Sequence, residues 1–199
     1  KYLDKLGILD ENTLLVHCIW LNEADMEIIA ARKSNISHNP ESNMKLASGI
    51  SPLSQLVNYG ISIGLGTDGC ASNNNLDLFQ EMDTAAKLHK ANSLDPTVMD
   101  AATVLKMATI EAARAIGLDD VIGSLETGKQ ADIVIIDTNK PHLVPMYHPE
   151  SHIVYAAKGS DVSDVMVAGK ILVRHGKLLT VDLDQIIDRV NEIASNIRA

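Results

Sequence analysis

Asp68 lies in the stretch Gly64-Leu65-Gly66-Thr67-Asp68-Gly69-Cys70-Ala71-Ser72-Asn73-Asn74-Asn75, directly after the short apolar run Ile61-Ser62-Ile63. An aspartate just past the carboxyl end of a buried strand, in a loop of Gly, Ser and Asn, can bind a metal ion, act as a base, or do both. In an α/β barrel that rim is where active sites are built. Asp-Gly is also a common turn dipeptide, so a plain turn fits the same residues. Two histidines end earlier strand-like runs in the same way: His17 after Leu14-Leu15-Val16, and His38 after Asn35-Ile36-Ser37. His17 reads as a ligand or catalyst, or as a hydrogen-bonded buried histidine. His38, ahead of Asn39-Pro40, either lines a pocket or satisfies the backbone groups of a turn. Ser72-Asn73-Asn74 either lines a pocket or caps a helix, and Asn74 or Asn75 is expected to cap the helix that begins at Leu76. Cys70 reads as a small pocket residue, because one cysteine near a hard carboxylate is a weak metal signal.

The elements that must position these residues alternate. Each of the three strand-like runs is followed by a helical pattern, which implies a parallel sheet with right-handed crossovers. Asn22, with Asp25 three residues on, predicts a helix N-terminus ahead of Met26, Ile28, Ile29 and Ala30. A further helix is expected from about Pro52 to Asn58. After Asp68, the residues Leu76, Leu78, Phe79, Met82, Ala85, Ala86 and Leu88 trace one apolar helical face, read as core. Asp95-Pro96-Thr97 is expected to open one long helix running to Ile116 and closed by Gly117. The tail then turns β-rich: Ile133 to Asp137, Val154 to Ala157, Val162 to Ala168 and Lys170 to Arg174 are expected strands. Residues 184–197 form a final amphipathic helix with Leu183, Ile186, Ile187, Val190, Ile193 and Ile197 on one face.

Composition excludes several classes. The chain has 199 residues, enough for a real core in one or two domains, and carries a net charge of −9 with no basic block. Nucleic acid is therefore not an expected partner, since phosphate binding needs clustered Lys and Arg. No apolar run is long enough to span a membrane and no signal-peptide pattern is present, so no membrane partner is expected either. Two cysteines, Cys18 and Cys70, make no disulfide framework, which fits a reducing, cytoplasmic setting. The first residue is Lys1 rather than Met. A complete (β/α)8 barrel takes about 250 residues, yet only three βα units precede the β-rich tail. The chain is then either a small open sheet or the C-terminal part of a larger protein.

Residue strings favour the second option. His17-Cys18-Ile19-Trp20-Leu21, the run from His38 to Gly49 (HNPESNMKLASG) and the run from Gly64 to Phe79 (GLGTDGCASNNNLDLF) closely resemble the amidohydrolase superfamily. They look most like its branch of 5-methylthioadenosine/S-adenosylhomocysteine deaminases and related chlorohydrolases. Ala108-Thr109, followed by Gly128-Lys129-Gln130-Ala131-Asp132-Ile133-Val134, is similar to the segment where that family leaves its barrel for a small β domain. The resemblance implies an α/β fold: strands six to eight of a metal-dependent (β/α)8 TIM barrel, plus a small β-rich domain and a C-terminal helix. The corresponding ranges are 1–116, 117–180 and 181–199.

The same resemblance implies metal-dependent hydrolytic deamination of adenosine-like nucleosides. A triazine-type chlorohydrolase or another aminohydrolase is the near alternative, and a catalytically silent half-barrel the distant one. Asp68 would ligate the metal and shuttle protons, and His17 would contact the attacking water or the substrate. His38, Ser42, Asn43 and Ser72 would join them in lining the substrate pocket. The cofactor implied is one divalent ion, zinc by family likeness, with Fe, Mn or Ni compatible with an Asp/His site. The partners implied are a small nucleoside substrate and further copies of the full-length protein in a homo-oligomer. The His-x-His pair, the strand-five histidine and the glutamate that the family uses cannot be placed in this sequence. His89, His142, His148, His152 and His175 lack His-x-His spacing and are expected to be structural or surface residues. Half a barrel alone would expose a strand edge and self-associate through it.

Overall fold

Strands β1 (Leu14–Val16), β2 (Asn35–His38) and β3 (Ile63–Leu65) pair in parallel in that spatial order. The computed structural model describes residues 1–198 of the chain. In register, Leu15 faces Ile36 across β1 and β2, and Ile36 and His38 face Ile63 and Leu65 across β2 and β3. Parallel strands need crossovers, and here these are helical. Helix α1 (Tyr2–Lys5) leads into β1, and α2 (Glu23–Ala31) connects β1 to β2. The start of α2 is a capping box: the Asn22 side chain accepts from the Asp25 N–H while Asp25 reaches back to the Asn22 N–H. Helices α3 (Pro40–Lys45) and α4 (Leu53–Asn58) connect β2 to β3, and α5 (Cys70–Asn73) and α6 (Leu78–Ser93) follow β3.

Four details differ from the sequence reading. Helix α3 was not expected; Pro40 at its first turn lacks an N–H that the helix would in any case leave unpaired. Helix α6 begins two residues later than expected, because Asp77 caps it through the Phe79 N–H, while Asn74 takes a left-handed conformation that closes α5. Leu76 lies ahead of α6 and is exposed, so the buried stripe is Met82, Ala85 and Ala86. The single long helix to Ile116 is instead two, α7 (Ala101–Met107) and α8 (Ile110–Ala115). Asp100 caps α7 through the Thr103 N–H, whereas the Asp95 carboxylate is spent on Thr97 in the preceding turn. The break falls at Thr109, whose hydroxyl bonds back to Leu105 O.

The β-rich tail contains β4 (Ile133–Ile136), α9 (Pro149–Tyr155), β5 (Val162–Val167), β6 (Lys170–Arg174) and β7 (Lys177–Leu178), and its strands form an antiparallel sheet in the order β4-β5-β6-β7. The expected strand at Val154 to Ala157 is the end of helix α9. Val154 is fully buried against α6 and α7, so packing overrides the β-branched local preference. Helix α10 (Leu183–Arg198) ends the described chain.

The core covers the face of the parallel sheet that carries Ile36, Ile63 and Leu65. Ile36, Ile63 and Leu65 meet Leu53, Leu56, Met82, Ala85, Val104, Met107 and Val154. Helix α8 lies directly on β3, where a Cβ on Gly64 would come within 2.8 Å of the Ala112 Cα. Only a residue without a side chain allows that approach.

Candidate active site

The carboxyl ends of the parallel strands carry the polar cluster. Asp68, three residues past β3, adopts φ +59°, and His17 and Cys18, just past β1, adopt φ +70° and +47°. These are left-handed conformations that non-glycine residues adopt rarely, and such strain gathers at functional sites. Ser42 Oγ donates to Asp68 Oδ2 at 2.7 Å, and the Gly69 N–H donates to Oδ1 at 2.7 Å. With Ser42 the leading cause, then Gly69 and the nearby Ser72 hydroxyl, the carboxyl is held down at about 2. Ser72 Oγ itself donates to Gly69 O at 2.9 Å.

His17 is oriented from its other side. Its Nδ1 lies 3.0 Å from Asn43 Oδ1. An amide oxygen only accepts, so Nδ1 carries a proton, and in the neutral ring Nε2 then presents a lone pair. That Nε2 sits 3.9 Å from Asp68 Oδ2, too far for a direct hydrogen bond, so both groups keep capacity for a third partner. The two side chains are 40% and 30% exposed, open enough to be reached. Ser42 and Asn43 are adjacent on α3, each buried and each holding one member of the pair. Helix α3 therefore brings the ends of β1 and β3 into one site.

His38 is placed elsewhere. Alternation along β2 puts Ser37 on the side of the sheet where Gly66 approaches; a Cβ at Gly66 would lie 2.8 Å from Ser37 Oγ and 2.7 Å from Asn39 Nδ2. His38 faces the opposite side with Ile36, is 1% exposed, and sets its Nε2 3.0 Å from Nε2 of His89 on α6. Burial, with repulsion from His89 and His17, pushes the His38 pKa down to about 3, and burial brings His89 to about 4. Both rings are neutral near pH 7, one donating to the other. The expected pocket-lining position is thus a place in the core behind His17, and His89 is its structural partner.

Glu81 went unnoticed in the sequence. It is fully buried on α6, where burial pushes its carboxyl up to about 7. A usable signal existed: Glu81, Ala85 and His89 share one helical row at intervals of four, so two polar residues stand on the face assigned to the core.

Asp68 and His17 supply an oxygen and a nitrogen donor, the kind divalent zinc takes. No group of three His, Cys, Asp or Glu side chains converges among the described residues. A catalytic zinc site uses three protein ligands, so these two residues fit part of such a site and further ligands must be added to them.

Residues 1–172 match the Amidohydrolase family. The chain belongs to the amidohydrolase family. Among its relatives, a 5-methylthioadenosine/S-adenosylhomocysteine deaminase of Syntrophobacter fumaroxidans is 51% identical over 197 residues, covering 99% of this chain and 45% of that protein. The crystal structure of an adenosine deaminase from Xanthomonas campestris with bound zinc superposes with a TM-score of 0.96 at 42% identity, over 99% of this chain and 45% of that one. Atrazine chlorohydrolase from Arthrobacter aurescens, complexed with zinc, gives a TM-score of 0.89 at 26% identity, over 96% and 42% of the two chains. This amidohydrolase chain therefore spans a little under half the length of the relatives it matches. None of its described helices is long and apolar enough to cross a membrane.

Proposed function

We propose that these residues are the C-terminal part of a metal-dependent hydrolase that deaminates adenosine-like nucleosides, among them 5-methylthioadenosine and S-adenosylhomocysteine. In this reading 1–116 are strands six to eight of a (β/α)8 barrel with their helices, 117–180 belong to a small β-rich domain, and 181–199, the last residue of which lies outside the described residues, is the segment of the terminal helix. The observation that carries it is the Asp68–His17 pair at the carboxyl edge of a parallel sheet, held by Ser42, Gly69 and Asn43. The 51% identity to a named deaminase supports the substrate class.

Asp68 and His17 would hold or flank a divalent ion, zinc by the example of the structural neighbours. When bound, such an ion lowers the pKa of a water towards neutrality. The remaining steps fall to the chain. Asp68, ionised at neutral pH, takes a proton from the attacking water and delivers it to the departing amine. The C–N bond breaks, oxygen replaces nitrogen on the purine ring, and ammonia leaves. His17 Nε2 accepts a hydrogen bond from the attacking oxygen and keeps it aimed at the ring. Ser72 and Asn43 line the same pocket and orient the substrate. A cytoplasmic location fits the free thiols of Cys18 and Cys70, and a homo-oligomer of the complete polypeptide belongs to the same reading.

Asp68→Ala in the complete polypeptide tests this. Ammonia release from 5-methylthioadenosine should fall by about 10³-fold or more, as for loss of a group that transfers the proton. Triazine dehalogenation is the second reading, carried by the atrazine chlorohydrolase neighbour. Chloride release from a chlorotriazine without ammonia release from any nucleoside would replace deamination with it.

A further inference from the structure

Glu81 is a fully buried carboxylate with no cation paired to it among the described residues. Such a group is costly to keep inside a protein unless hydrogen bonds hold it. Both of its oxygens accept. Asn73 Nδ2 donates to Oε1 at 2.7 Å, and the backbone N–H of Glu41 donates to Oε2 at 3.2 Å. Each donor leads to the site in one further step. Asn73 Nδ2 also donates to the carbonyl of Thr67, the residue before Asp68, at 2.9 Å. Glu41 is the residue before Ser42, whose hydroxyl grips Asp68. The Glu41 carboxylate repeats the tie, accepting from Asn75 Nδ2 at 3.1 Å and from Thr84 Oγ1 at 3.0 Å.

We infer that Glu81 is a positioning residue: its two oxygens tie the loop bearing Asp68 to the start of α3 bearing Ser42, and so set the Ser42–Asp68 hydrogen bond. The inference rests on the proposed catalytic role of Asp68. Both oxygens accept only in the ionised form, and the Asn73 and Glu41 donors favour that form against the burial that opposes it. A glutamine of the same size offers one acceptor and one donor, so it must lose either the Asn73 or the Glu41 bond.

The test uses the complete polypeptide with Glu81→Gln, Ser42→Ala and the double variant. Glu81→Gln should lower kcat for 5-methylthioadenosine by roughly 10–100-fold, the usual cost of losing a group that orients a reacting one, with KM changed by less than about threefold. In the Ser42→Ala background the same substitution should cost far less, because the bond it positions is already gone. Independently of activity, amide exchange in 41–43 and 66–69 should speed up roughly tenfold, the order expected for one lost hydrogen bond, with the rest of the sheet unchanged. Retained kcat, strictly additive losses, or faster exchange across the whole sheet would each overturn the assignment. Should Glu81→Gln not fold, Asn73→Ala cuts one arm of the tie and must loosen 66–69 but not 41–43; equal loosening of both would refute it. If the unsubstituted polypeptide releases no ammonia, the deaminase reading fails, and exchange in the two loops alone decides the role of Glu81.

Discussion

At Gly66 the two strand-end loops come so close that one methyl group would collide with both Ser37 and Asn39. Gly66→Ala must push at least one of them aside, two residues from Asp68. The expected outcome is a loss of about 1–3 kcal/mol in stability from overpacking, read from urea unfolding, with activity lower still. Ionisable residues in the core make a second prediction. His38 and His89 have pKa values below the ordinary histidine value, so below pH 6.5 the unfolded chain binds protons that the folded one refuses, and stability falls with acidification. Glu81 acts oppositely: its raised pKa means the folded state binds a proton between about pH 4.5 and 7, and acidification there adds stability. Two groups oppose one, so the net slope between pH 6.5 and 4.5 should be a loss of at most about 1.4 kcal/mol per pH unit. Unfolding midpoints should drop over that window, and more steeply in Glu81→Gln; a flat or rising profile would contradict these burial assignments.

Among the elements, α2 was readable because its signal is wholly local: an N-cap and its partner three residues on. Asn22→Ala should cost about 1 kcal/mol, seen as a lower unfolding midpoint with activity at saturating substrate unchanged. The same local chemistry marked the β-branched runs at β4, β5 and β6. It failed at α9, where Val154-Tyr155 look like a strand until the partner surface of α6 and α7 is known. It failed again around residue 100, where two aspartates compete to start a helix and Thr97 captures the first. Helix α3 is the instructive miss. No helix was expected at residues 40–45, which follow Asn39-Pro40, yet this helix carries Ser42 to Asp68 and Asn43 to His17.

For the whole molecule, the exposed apolar surface is the conspicuous property. Strand β1 pairs on one side only, and Leu14 and Val16 at that edge are exposed. Helix α10 presents Leu183, Ile186, Ile187, Val190 and Ile193 to solvent, the face its periodicity announced. Patches of this kind and an open strand edge seek partners. The 199 residues expressed alone should therefore self-associate in sedimentation experiments at micromolar concentration. A monodisperse monomer would mean that these faces are quiet as they stand, and would weaken the reading in which the rest of a barrel covers them.

The sequence by itself determined the alternation of short strands with helices, the residues that end the strands, and strings specific enough to place the chain in its family. All of these depend on neighbours within a few positions, where hydrogen-bond chemistry and side-chain period act directly. Tertiary structure alone decided that His38 turns away from Asp68 towards His89, because a residue's side of a strand depends on which layer covers each face. It also decided that Ser42 and Asn43 hold Asp68 and His17, across 26 residues of chain in each case, and that Glu81 ties two loops 40 residues and 8 residues away. Those contacts follow from the register of parallel strands and the path of their crossovers, and no local propensity encodes either.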